Sequence, residues 1–225
     1  MQQRLLWLTC LGIFLWSCNS SQPQEQEVSA LDSATISESA RRVKDTAQTR
    51  SVAPREDATP LSVEDVASLV LQALKEKDWE TVADYVHSSQ GVCFTPEVYV
   101  SDKDQTLMAD QLRSADVRNQ KRNWGDMYGE ETGNKLQTFD EYYSRYIMDV
   151  DFTKAEEVNF NKDVQRGNSI NNARTAFEAP YIVEYYIPGV NPDFGGMDWR
   201  SLRLVFGKDG NGWGLVGVIH GAWTP

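Results

Sequence analysis

The chain has 225 residues, with 22 lysines and arginines against 33 aspartates and glutamates, a formal net charge of −11, two histidines and three cysteines. Nucleic acid is a poor partner for such a chain, because phosphate binding needs a concentrated basic footprint, and Arg41-Arg42-Val43-Lys44 and Lys121-Arg122 are short and lie amid acids. So few histidines and thiols give no zinc-ligand spacing, and with no P-loop, dinucleotide fingerprint or serine-nucleophile motif present, no metal and no cofactor are expected.

Arg4 is followed by an apolar run from Leu5 to Leu15, broken only by Thr9 and Gly12. That run is too short to cross a hydrocarbon layer of roughly 30 Å, and reads as the apolar part of an export signal. Leu15-Trp16-Ser17-Cys18 closes it and resembles a bacterial lipobox, with Trp16 where a small residue is usual. The resemblance implies a signal peptide over residues 1–17, cleavage between Ser17 and Cys18, and lipid attachment at Cys18. It makes the product an anchored protein of the bacterial cell envelope that meets the membrane through its N-terminal lipid. Asn19, rather than aspartate, after the cysteine points to the outer membrane in a cell with two membranes. Removing residues 1–17 leaves 21 basic and 33 acidic residues, and takes Cys10 with it. Cys93 is then the only thiol in the folded part, so no intramolecular disulfide is expected. Within Val92-Cys93-Phe94 it reads as a small buried hydrophobe rather than a reactive thiol.

Residues 18–60 form the lipidated cysteine and a polar tether: from Asn19 to Pro60 there is no aromatic side chain, and Ser, Gln, Glu, Thr and Ala dominate. Such a composition predicts disorder, and a flexible coil of 42 residues has a root-mean-square reach of roughly 35 Å. Residues 61–225 carry five of the seven tryptophans and read as one globular domain.

Within it, Ser62-Val63-Glu64-Asp65 resembles a capping box, and Val63, Val66, Leu69, Val70, Ala73 and Leu74 follow at helical spacing, predicting a helix over 63–76. Asp78 caps a shorter second helix, which Ser88-Ser89-Gln90-Gly91 ends. Val92–Phe94 and Val98–Val100 read as strand, interrupted at Pro96. Trp124–Gly129 reads as a structured loop. Thr138-Phe139-Asp140-Glu141 is a second capping box, opening a helix with Phe139, Tyr142, Tyr143, Tyr146 and Ile147 inward. Residues 159–176 are Asn-rich and expected to be irregular, with Val158-Asn159-Phe160 as a possible strand start. Tyr181–Ile187, Trp199–Phe206 and Trp213–His220 are three strands, the last two joined at Lys208-Asp209-Gly210-Asn211-Gly212. Helices first and an antiparallel meander last predict an α+β domain.

The string Ala73-Leu74-Lys75-Glu76-Lys77-Asp78-Trp79-Glu80, running through a short helix to Gly91-Val92-Cys93-Phe94, resembles the opening of nuclear-transport-factor-2-like domains. The closing hairpin with Gly212-Trp213-Gly214-Leu215-Val216 is similar to their ending. The resemblance implies helices wrapped by a curved antiparallel sheet into a cone with a pocket at its mouth. The run from Gly196 to Phe206 also resembles uncharacterised bacterial lipoproteins, which implies no activity.

Alternation along the last strand puts His220 with Gly214, Val216 and Val218, and Trp213, Leu215, Gly217 and Ile219 on the other face. Both faces are apolar, so a pocket, a further layer or a subunit is expected opposite the helices. In a cone, His220 would lie near the rim, where an imidazole can act as acid or base; bonding to a loop is its plainer role. His87 is read as a cap for helix carbonyls. Asp198 is a second candidate acid or base, while Tyr185, Glu184 and Tyr146 are candidate pocket residues that serve equally as core. The oxygen-rich strings Asp149-Val150-Asp151, Asp102-Lys103-Asp104 and Asn159–Asp163 could ligate Ca²⁺. The last fails the EF-hand pattern, with Val164 in place of glycine and Ile170 in place of glutamate. Three readings follow: a non-catalytic module binding a small ligand or an envelope protein, a cone-fold lyase or isomerase, and a homodimer paired through the outer sheet face.

Overall fold

A computed structural model describes residues 60–125 and 135–224. The expected signal peptide, Cys18, the tether up to residue 59 and the Asp126–Gly129 part of the tryptophan loop lie outside the described residues.

Helix α1 (Val63–Glu76) has the expected span. The Ser62 hydroxyl accepts from the Asp65 N–H at 3.1 Å, and Lys77, in the left-handed region at φ 55°, donates its N–H to the carbonyls of Ala73 and Leu74. Asp78 caps α2 (Trp79–Asp84) in the same way, and β1 (Val92–Thr95) follows. The expected strand over Val98–Val100 is irregular. Asn172 explains this: its side-chain oxygen accepts the Val100 N–H at 2.8 Å and its amide donates to the Val100 carbonyl at 2.9 Å, replacing a strand neighbour.

The polar middle forms β2 (Gln105–Leu107), α3 (Ala109–Arg113) and α4 (Ala115–Arg118). Helix α5 (Phe139–Tyr146) opens on a reciprocal capping box, in which Thr138 takes the Glu141 N–H and the Glu141 carboxylate takes the Thr138 N–H. β3 (Glu157–Phe160), α6 (Ala173–Ala176), β4 (Tyr181–Ile187), β5 (Arg200–Asp209) and β6 (Gly212–Ala222) complete the order.

The fold is α+β, with one six-stranded sheet in the order β2-β1-β6-β5-β4-β3. Strands β4, β5 and β6 form the expected antiparallel meander, but β1 joins the free side of β6 in parallel, pairing Cys93 with Gly217 and Thr95 with Ile219. The sheet is therefore mixed rather than antiparallel. A bulge also breaks the alternation read along the last strand. Val205 pairs with Gly217 and Phe206 with Leu215, which leaves Val216 as the extra residue. Leu215, Val218 and His220 consequently share one face, while Val216 and Ile219 share the other.

On the first face, α1, α2 and α5 bury Phe94, Trp124, Phe139 and Tyr142, all 0% exposed. Trp124 stacks on Tyr142 at 4.7 Å, and Phe94 meets Phe139 edge-on at 5.1 Å. The Trp124 indole donates to the Gln137 carbonyl at 2.9 Å. The second face is covered too, by Val100, Ala173 and Phe177 over Ile182, Val205, Val216 and Ile219. Of the options for that face, a further layer is present among the described residues: the segment around residues 164–177 lies over β4 and β5.

Candidate functional site

Strands β1, β4 and β6 run in the same direction, so Pro96, the 188–199 loop and the chain end gather at one end of the sheet. His220 lies there on the helix-facing side, opposite Leu202, with its ring edge-on to Tyr146 at 5.8 Å. Its Nε2 is 3.2 Å from Asp149 Oδ2 and its Nδ1 is 3.3 Å from the Pro96 carbonyl oxygen. Arg200 Nε donates to the same Asp149 oxygen at 2.7 Å. Burial opposes ionisation of Asp149, yet the hydrogen bonds and charges of His220 and Arg200 outweigh it and hold the carboxyl below the usual carboxylate range. Both His220 nitrogens are thus directed at protein acceptors. With 5% of its surface exposed, His220 lies within the wall of the domain rather than on a rim.

Asp198 belongs to a different arrangement at the same end. Its Oδ2 accepts the N–H groups of Val190 at 3.1 Å and Asn191 at 2.6 Å, closing the 188–198 loop on itself. His87 does not cap α2: its Nε2 lies 3.0 Å from the Lys208 carbonyl, and the N–H groups of Ser89 and Gln90 donate to its Nδ1 at 3.3 Å. This ties the turn after α2 to the β5–β6 hairpin, where Asp209 also accepts from the Ser88 N–H and hydroxyl.

The pocket candidates do not converge. Tyr185 and Glu184 are neighbours on β4 and therefore point to opposite faces. Tyr185 lies in the helix-side core with Tyr146, and burial pushes its hydroxyl up to about 12 despite a hydrogen bond with Ser68. Glu184 points to the other face, directly across from Arg203. There its Oε1 takes Arg203 Nε at 3.0 Å, and its Oε2 takes Arg166 Nη2 at 3.1 Å and the Asn159 amide at 3.3 Å. Glu184 and Arg203 are each 2% exposed. Arg166 lies over the Tyr186 ring at 3.4 Å and also reaches Glu157 at 2.9 Å, so the 164–167 segment is fastened to the sheet by charge and by stacking. Arg203 Nη1, Arg166 Nε and Ser201 Oγ are buried with no hydrogen-bond partner among the described residues.

Sequence reading missed this network, although a signal was present. An arginine within Leu202-Arg203-Leu204 and a glutamate within Val183-Glu184-Tyr185 are charges inside apolar strands, which demands partners. Two of the three oxygen strings that could ligate Ca²⁺ are engaged with cations of the chain itself, while in the third Asp104 accepts the Ser101 N–H at 2.9 Å. Asp151 accepts from Lys75 at 3.0 Å, while Asn161 and Asp163 accept from Arg174 at 2.7 and 2.8 Å. No group of three or more His, Cys, Asp or Glu side chains converges on a metal position among the described residues. Cys93 is half-buried rather than buried, and burial pushes its thiol above the ordinary range. No described helix is long and apolar enough to cross a membrane.

No protein-family model matches this chain, and neither a curated protein nor a solved structure is similar to it.

Proposed function

We propose that this chain is a lipid-anchored protein of the bacterial cell envelope, held through Cys18 on the polar tether, whose C-terminal domain binds a partner without performing chemistry. The observation that carries this reading is that His220, Asp198 and Glu184 each bond to the chain itself, while Asp149 Oδ1 and Asp198 Oδ1 are buried without a hydrogen-bond partner among the described residues. His220 is taken up by Asp149 and Pro96, Asp198 by loop amides, and Glu184 by Arg203 and Arg166. The helix-side core is filled by aromatic rings where a cone-fold lyase or isomerase needs a dry, open mouth with an unengaged acid or base. Binding then falls to the surface.

A nuclear-transport-factor-2-like relationship is part of the proposal. It is supported by two opening helices leading into β1, by a closing hairpin that lies beside β1, and by a core held between the helices and the sheet.

Detergent phase partition of the full chain expressed in a Gram-negative host tests the anchoring. The wild-type protein is expected in the detergent phase and the Cys18→Ala variant in the aqueous phase. An unchanged partition of the variant overturns the reading.

A further inference from the structure

Twelve large hydrophobic side chains are exposed among the described residues, and five of them, Tyr99, Val190, Phe194, Met197 and Trp223, belong to the segments gathered at the end of the sheet where β1, β4 and β6 finish. Contacts join these segments. The Trp223 N–H donates to the Trp199 carbonyl at 3.2 Å, and Gly221 packs so closely on Val98 and Trp199 that an added Cβ would sit 3.3 and 3.4 Å from them. The 188–198 loop is pre-shaped before any partner arrives. Asp198 holds its first amides, Asn191 caps the turn Pro192–Phe194, and Gly195 and Gly196 take positive φ. Loop ordering is a cost of association that this arrangement has already met.

We infer that this apolar end is a docking surface for a protein partner whose contact face has an apolar centre and a rim of lysine and arginine. The inference rests on the binding-module reading above and names where the partner sits. Charge selects the occupant. Residues 188–199 and 221–224 contain no lysine or arginine and Asp193 is exposed between Val190 and Phe194; the segment after β1 holds one exposed lysine, Lys103, against Glu97, exposed Asp102 and Asp104, so the end as a whole is acidic. Surfaces that lie on bilayers combine apolar anchors with basic residues, because lipid headgroup regions are anionic, and this end has the opposite sign. A second copy would bring the same aspartates face to face, a repulsion that specific interfaces avoid. A basic-rimmed partner meets neither obstacle. Position agrees with this: α1 begins at the opposite end of the sheet, where Tyr181, the first residue of β4, donates its hydroxyl to Glu64. The apolar end is therefore the one opposite the start of α1.

The test places a photoreactive phenylalanine analogue at Phe194 of the full chain in its native cell, with the same analogue at exposed Leu69 on α1 as the control. Illumination is expected to give a discrete adduct with one other protein from position 194 and none from position 69. A second variant adding Asp193→Lys is expected to lower the adduct yield by about tenfold, as reversal of a rim charge does. Purified wild-type protein is expected to run as a monomer and not to float with vesicles of phosphatidylcholine or phosphatidylglycerol. An adduct with lipid or with a second copy, equal labelling at both positions, a yield unchanged by Asp193→Lys, or vesicle binding lost in Phe194→Asp each overturns the inference. Failure here with Cys18-dependent partition intact removes the docking surface and leaves the anchoring standing; the converse removes the anchoring alone.

Discussion

At Glu184 and Arg203 the chain keeps a buried pair of opposite charges in the middle of the sheet, and removing one partner leaves the other unpaired in a low-dielectric setting. Glu184→Gln is expected to lower unfolding free energy in urea by about 3–5 kcal/mol, and the double variant Glu184→Leu/Arg203→Leu to recover most of that loss. A full loss retained in the double variant would show that the strands need the charge pair itself. Asp149 is one contributor to the acid dependence, beside other carboxylates held below their ordinary range such as Asp151 and Asp209. The folded-state Asp149 carboxyl titrates below the unfolded value, so the stability it contributes is present above about pH 4, the unfolded range, and is lost as pH falls through the folded value. Asp149→Asn is expected to be less stable than wild type at neutral pH and to show a shallower decline below about pH 4 in denaturation curves. An unaltered acid limb would assign the decline to other carboxylates.

The elements follow local signals where these were strong. Ser62 and Thr138 mark the starts of α1 and α5, and the turn at Gly210-Asn211 sets the β5–β6 hairpin. Thr138→Ala is expected to cost about 1 kcal/mol, measured by thermal or urea unfolding, because it removes the hydroxyl from the α5 N–H groups. What eluded the sequence was set by partners distant along the chain. Val98–Val100 has strand composition but bonds to Asn172, β1 finds β6 in parallel, and the bulge at Val216 reverses which neighbours His220 meets. Asp149 and His220 are 71 positions apart, and no spacing rule links them. Gly214 likewise owes its place to tertiary contact, since a Cβ there would come within 2.6 Å of the His87 Cα. Gly214→Ala should force β6 away from the α2–β1 connection and destabilise by about 1–3 kcal/mol, read from the urea midpoint. A neutral outcome would mean that the His87 turn moves freely.

For the molecule as a whole, the proposed division into an anchor, a polar tether and a folded domain gives its strongest functional reading, and each part can be checked on the intact chain. Limited proteolysis is expected to cut first within residues 19–60 and to release a domain whose melting temperature equals that of the full chain. A lower temperature would show that the tether contributes to the fold. Anchoring itself is tested most directly by the intact mass of the protein extracted from the envelope of a Gram-negative host. The account predicts a chain that begins at Cys18 and carries acyl groups on that residue, with residues 1–17 absent. A chain that retains residues 1–17, or one that begins at Cys18 without acyl groups, would contradict it.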